Sequence, residues 1–350
     1  RTCMYSNTTG DQNTAIGRQA LGTNTSASNN TAVGYHALLS NTTGTENTAV
    51  GADALEANTT ANQCTAVGYE ALTSCTTGIR NTAIGRKALK TITTGQQNVA
   101  VGTAVLFNNT GDNNTAVGHD AMVANTTGEK NVAVGTHALD ANTTADNNTA
   151  LGYNSLSTNT TGEGNTALGQ GTLFANTTAG NNTGVGYIAL NANTTGANNV
   201  AVGSTALDAN TTGNENTAVG SRALSANTTE SGSTAVGHDC LTLCTGEKNT
   251  AMGRNAAKAI TTGTTNTVMG ENAGVVMSTG NQNTVVGRDA GGQLTTGTNN
   301  LLLGHDAGKS GSPLHVTTGS NHIVLGDNNI TSANVKVDWT VTSDQRDKTD

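Results

Sequence analysis

The sequence predicts an all-β protein, folded as a parallel β-solenoid (β-roll) of about nineteen coils of 17 residues each. Three observations lead to this prediction. A glycine recurs every 17 residues, a short apolar segment precedes it, and an Asn-Thr-Thr-Gly turn sequence separates successive copies. One unit reads N-T-A-V-G-x-x-A-L-x-x-N-T-T-G-x-x, and such self-similarity at a fixed period is typical of solenoids and arrays.

The repeat glycine continues along nearly the whole chain, from Gly17 to Gly326. Two of its steps are 16 residues long, each lacking one turn residue, and the last step is 22. The longer step contains an insertion around residues 309–316, which includes Pro313, the sole proline. We expect this insertion to form an exposed loop.

Each unit contains signals for strands and turns. Thr-Ala-Val alternates in orientation as a short strand does, and Asn-Thr-Thr-Gly combines local Asn hydrogen bonds with a glycine suited to positive φ. Leu or Met lies four residues after the glycine in fourteen successive units, from Leu21 to Leu241. Because the next turn comes too soon for more than one helical turn, the Ala-Leu segment predicts a second short strand.

Stacking should supply the core that a single coil lacks. We expect Val to stack on Val and Leu on Leu about 4.8 Å apart, with side-chain amide ladders at both repeated Asn positions. From Ala256-Ala257 onward, Leu gives way to Ala or Gly, so these coils should be narrower or packed differently. Nineteen layers would form a shaft roughly 90 Å long.

Composition agrees with regular stacking of small residues. Aromatic residues make up 2% and charged residues 11% of the chain, with 44 glycines. An ordinary globular protein has more large apolar and charged side chains, and a disordered one has more Pro and charge. The net charge of −8 is thinly spread and no apolar run approaches about 20 residues, so neither nucleic-acid binding nor membrane insertion is predicted.

The five cysteines occupy positions of small or polar repeat residues. Cys64, Cys75 and Cys244 replace Asn, whereas Cys3 and Cys240 replace Ala. Free cysteine is among the most buried residue types, so we expect small, buried space-filling residues. A Cys64–Cys75 or Cys240–Cys244 disulfide remains open.

His-Asp pairs follow three repeat glycines. The pairs lie many coils apart, so no metal site can collect two of them within one chain, although three copies of one histidine could meet on a trimer axis. Arg288-Asp289 fills the same two positions without a metal ligand in the first, which favours solvent-exposed corner residues. The pairs are His119-Asp120, His238-Asp239 and His305-Asp306.

Signals for catalysis are absent from the repeats. No phosphate-binding loop, paired catalytic carboxylates or Ser/His/Asp spacing can be distinguished from the repeat itself. We therefore predict no enzyme activity for the shaft, no cofactor and no metal.

The thin core predicts an oligomer. Each coil has only about two large apolar side chains, and an alanine beside the Leu indicates close approach of another surface. We expect a parallel homotrimer, with an isolated narrow solenoid as the alternative. The shaft would span residues 1–326, followed by a connector strand over 327–342 that includes Trp339, and by a polar segment over 343–350.

The N-T-A-V-G-x-x-A-L coils over residues 1–326 resemble the head repeats of trimeric autotransporter adhesins. That resemblance implies a trimer of left-handed parallel β-rolls, with an enlarged turn because those repeats are commonly shorter.

The segment Ser343-Asp344-x-Arg346-x-Lys348 resembles the opening of the intramolecular chaperone auto-processing domain at the end of phage tail fibres and tailspikes. The resemblance implies that a downstream chaperone assembles the trimer and is released by cleavage between Ser343 and Asp344. Ser343 would be the nucleophile and Lys348 the assisting base, with Asp344 and Arg346 as motif residues. A serine nucleophile does need such a base.

Together, these resemblances imply a structural viral fibre on the virion surface that binds a host cell-surface receptor or glycan. The alternative is the stalk of a bacterial trimeric surface adhesin, located at the cell surface. A third hypothesis is ice binding by stacked threonines such as Thr126-Thr127. It is less favoured because adjacent residues face opposite sides, so only one threonine per turn could line a flat face.

Overall fold

In the computed structural model, which describes residues 2–332, the chain folds into 19 three-residue parallel strands stacked as one β-solenoid. The predicted fold class is confirmed. The strands are β1 Thr14–Ile16, β2 Thr31–Val33, β3 Thr48–Val50, β4 Thr65–Val67, β5 Thr82–Ile84, β6 Val99–Val101, β7 Thr115–Val117, β8 Val132–Val134, β9 Thr149–Leu151, β10 Thr166–Leu168, β11 Thr183–Val185, β12 Val200–Val202, β13 Thr217–Val219, β14 Thr234–Val236, β15 Thr250–Met252, β16 Thr267–Met269, β17 Thr284–Val286, β18 Leu301–Leu303 and β19 Ile323–Leu325.

Each strand pairs with the next strand of the chain, so every residue lies beside its own equivalent. Ala32, for example, pairs with Ala49. The 22-residue step keeps this register, because Leu302 pairs with Val324. Its extra residues form a loop in which Pro313 is exposed, as predicted. The loop closes where the Val316 N–H donates to the Gly308 carbonyl at 2.8 Å.

The strands point their middle residue inward and their two outer residues outward. The middle alanine is fully buried in most coils, as at Ala49. Val50, which follows it, is 36% exposed, and Ile16 at the same position of β1 is 61% exposed. Val does stack on Val, but the expectation that this column forms the core is wrong. In a three-residue strand that points one residue inward, both neighbours must face away.

The predicted second strand is also wrong. The Ala-Leu segment forms consecutive turns, with left-handed backbone two and four residues after the glycine, as at His36 (φ 56°) and Leu38 (φ 50°). Leucine rarely adopts this conformation. Here it is held because the Leu38 N–H donates to the Ala54 carbonyl of the next coil at 3.0 Å and the side chain is fully buried.

The core therefore consists of a leucine column, alanine columns and buried asparagines. After the last leucine of this column, the core is packed differently, as expected. Ala257 and Gly274 leave space at the old leucine position, and larger strand residues such as Val268 fill it. An ideal Cβ on Gly274 would lie 3.4 Å from Val268 Cγ1, which shows how closely that side chain approaches.

The corner glycines pack directly on one another. Gly135 has φ 140°, and a Cβ there would lie 2.6 Å from the Gly152 carbonyl carbon of the next coil. Neither the backbone conformation nor the available space admits a side chain.

We predict that Gly135→Ala lowers the free energy of unfolding by on the order of 3 kcal/mol or more, because backbone strain and overlap with the next coil add together. Urea unfolding followed by circular dichroism would measure the loss. Gly311→Ala is the matched control, since Gly311 has φ 103° but a Cβ added there would have no atom within 4 Å. Equal losses in the two variants would contradict a role for the close approach.

Candidate functional site

Two asparagine ladders run along the buried turns, as the sequence predicts. In the first, Asn142 Nδ2 donates to Asn125 Oδ1 of the preceding coil at 2.7 Å, and to the Ala145 carbonyl of its own turn at 3.1 Å. In the second, the Asn148 N–H donates to Asn131 Oδ1 at 2.9 Å. Asn131 Nδ2 also donates to the Ala145 carbonyl, so both ladders meet at that oxygen.

The first threonine of most turns is likewise bonded between coils. Thr126 Oγ1 donates to the Thr143 carbonyl of the next coil at 2.9 Å. This use of the hydroxyl removes one threonine per turn from a free surface array, which weakens the ice-binding hypothesis.

We predict that Asn142→Ala costs about 1–3 kcal/mol of unfolding free energy, because Asn125 Oδ1 then loses its donor inside the protein. Thr144→Ala is the control, since Thr144 is an exposed residue of the same turn. Urea unfolding of both variants would check this, and a neutral Asn142→Ala would contradict a stabilising role for the ladder.

Cysteines interrupt both ladders at one place. The Sγ atoms of Cys64 and Cys75 lie 3.2 and 3.3 Å from the same Gly78 carbonyl oxygen. Contact with the Cys64 thiol, together with burial, raises the pKa of Cys75. Burial also raises the pKa of Cys240 to about 12 and that of Cys244 to about 11.

All five cysteines are free thiols. Four are buried, as expected, but Cys3 is exposed, so the expectation is wrong there. Cys3 lies in the first layer of the stack and is not covered by a neighbouring coil on both sides.

The outer strand face, defined here as the first and third residues of β1–β19, forms a continuous surface along the shaft. The third residues of the strands form a column along the shaft that is entirely apolar. Several of them are among the most exposed large apolar side chains, including Leu151 at 47%. The first column is mostly threonine, with apolar exceptions such as Val132 and Ile323. Large contiguous apolar patches are uncommon on the surfaces of monomeric proteins.

Charged corner residues pair across coils. Asp239 is 4% exposed and accepts hydrogen bonds from Arg222 Nε at 2.6 Å and Lys258 Nζ at 3.0 Å, one coil to either side. Burial opposes ionisation of Asp239, but the hydrogen bonds from Arg222 and Lys258 outweigh it and hold its pKa below the usual value. Such pairs link successive coils.

The three His-Asp pairs lie at corners, with histidine side chains about half exposed, as expected. The expectation of solvent exposure is wrong for Asp239, which is buried between Arg222 and Lys258. His137 was not among the predicted candidates; it follows its glycine by two residues and lies one coil after His119-Asp120. One ligand atom from each of His119, Asp120 and His137 lies within 4.8 Å of the others. A histidine 18 residues after another, in a 17-residue repeat, is the signal that could have revealed this cluster.

The predicted cleavage residues Ser343, Asp344, Arg346 and Lys348 lie outside the described residues, as do positions 333–342 of the connector. These assignments stay predictions. Within residues 327–332 the chain forms a turn, in which the Asn329 N–H donates to Asp327 Oδ1 at 3.0 Å.

A scan against protein-family models and a search of curated protein sequences give no significant match. Within residues 2–332, there is no helix with the length and apolar character needed to cross a membrane.

Proposed function

We propose that this chain is the shaft of a homotrimeric viral tail fibre or tailspike, which holds a host-attachment tip away from the virion. The outer strand face is the observation that supports this most directly. A column of Val, Ile, Leu or Met repeats in every coil and points away from the core. Three parallel copies in the same register could bury these columns against one another over the length of the shaft.

The interior supports the same proposal. Most coils enclose little more than one leucine and several alanines, and buried amide ladders take the place of a larger apolar core. Burial of a fully exposed Val or Leu side chain contributes about 1.5–3 kcal/mol. The outward-facing side chains are already partly buried, so association would add a fraction of that amount in each coil.

A shaft is also what the backbone geometry suits. The structure grows in one direction only, with each coil bonded to its two neighbours, so length is set by repeat number. The shaft positions other parts of a fibre, and we propose no reaction for it apart from self-release at the Ser343–Asp344 bond. A bacterial adhesin stalk would use the same coils, and a membrane anchor downstream would favour it over a chaperone.

We predict that the chain is a trimer in solution and that the outer strand face is covered in it. Light scattering after size exclusion should give three chains per particle. In a Cys3→Ala background, Leu151→Cys should react with maleimide much more slowly than Thr144→Cys in the native protein, and equally fast after denaturation. Both positions are exposed in the single chain, Leu151 by 47%.

A monomer in which both introduced thiols react rapidly would contradict the trimer. A trimer that reacts rapidly at Leu151→Cys would place the interface on another face.

We further predict that the protein expressed from the complete gene ends at Ser343 and that Ser343→Ala leaves the chain uncleaved, because the nucleophile is removed. Denatured intact mass distinguishes the two products. Lys348→Met should slow cleavage if the lysine is the base. An uncleaved chain with Ser343 present would overturn the chaperone assignment and favour the adhesin stalk.

A further inference from the structure

We propose that His119, Asp120 and His137 form a Zn²⁺ site at a corner between two adjacent coils. This inference does not depend on the proposed function, since all three residues belong to one chain. Two imidazole nitrogens and a carboxylate oxygen are a donor set that Zn²⁺ takes in proteins, with a fourth position left to water.

The repeat brings the ligands together. His119 lies one residue after its corner glycine and His137 two residues after the next, so stacking places their rings 5.9 Å apart between centroids at an angle of 75°. The His137 N–H donates to the His119 carbonyl at 3.1 Å, which joins the two backbones. One ligand atom from each of the three residues lies within 4.8 Å of the other two, and small rotations of the side chains would bring them onto one ion.

A further carboxylate orients one of the ligands. Asp140 Oδ2 lies 3.4 Å from His137 Nδ1, which leaves Nε2 as the free ring nitrogen. Metal-binding histidines commonly donate their other N–H to a carboxylate in this way.

Comparable clusters elsewhere in the described chain are less suited to a metal. Each has one histidine, and its groups already have partners. His36 Nε2 lies 2.8 Å from Gln19 Oε1, and Asp306 accepts a hydrogen bond from Lys309 at 2.8 Å. In the pair His238-Asp239, the carboxylate is held by Arg222 and Lys258. His238-Asp239 has the same two residue types at the same corner positions as His119-Asp120, but it has no second histidine beside it.

The ligands also suit reversible loading from solvent. The side chain of His119 is 57% exposed and that of His137 38% exposed, so an ion can reach the site without unfolding of the coil. A bound ion would join the side chains of two adjacent layers.

Isothermal titration of Zn²⁺ into the full chain, purified without a polyhistidine tag and with reduced thiols, tests the proposal. We expect one ion per chain, with affinity reduced at least about tenfold by His119→Gln or by His137→Gln, and about tenfold by Asp140→Asn. His238→Gln is the matched control and should leave affinity unchanged. Circular dichroism of each variant would check that the solenoid remains folded.

His119→Gln and His137→Gln should also lose the rise in melting temperature that Zn²⁺ produces in the parent protein, whereas His238→Gln should keep it. Absence of stoichiometric binding would overturn the proposal. So would binding that is unaffected by His119→Gln and His137→Gln, or reduced as much by His238→Gln, since zinc would then be held by other residues such as the cysteines. The oligomeric state is measured separately, so failure here leaves the fibre proposal unaffected.

Discussion

Hydrogen bonding between coils at a fixed layer spacing is the constraint on which the rest of this structure depends. A 17-residue coil has few ways to pair its own backbone groups, and buried backbone groups must be paired. They are paired by the coils before and after, as where the Gly34 N–H donates to the Ile16 carbonyl at 2.8 Å. Every residue is thereby held close to its own equivalent, and side chains that tolerate self-stacking are favoured.

The choice of residues in the interior follows from that constraint. Glycine is needed at the corner because the next corner lies directly against it. Asparagine suits the turns because its amide can both donate and accept, so identical side chains bond to one another as well as to the backbone. Leucine and alanine side chains have no polar atoms that need partners, so they can stack on one another and fill the narrow space between the turns.

Substitutions in one column are matched by changes in another column of the same layer or the next. Thr172 stands where most coils have alanine, and the strand residue facing it is Gly184, at which a Cβ would overlap Thr172 Cγ2. In the last coils, the strand alanine becomes Val285 or Leu302 where the corner leucine has become Gly291 or Gly308. Core volume is thus conserved within a small neighbourhood rather than at single positions.

The sequence by itself determined the fold class, the number of layers and their register, because a fixed period with identical residues allows only in-register stacking. It also predicted the amide ladders and the exposed loop around Pro313.

Only the tertiary structure decided which way the side chains face. The pattern Thr-Ala-Val is compatible with either orientation, and packing of alanine against the leucine column turned the valines outward. The left-handed conformation of Leu38 could not be inferred, since that geometry is stabilised by contacts with the next coil and not by the residue itself. The sequence spacing places His137 one coil after His119 and Asp120, but only the stacked corners show that the three side chains lie close together.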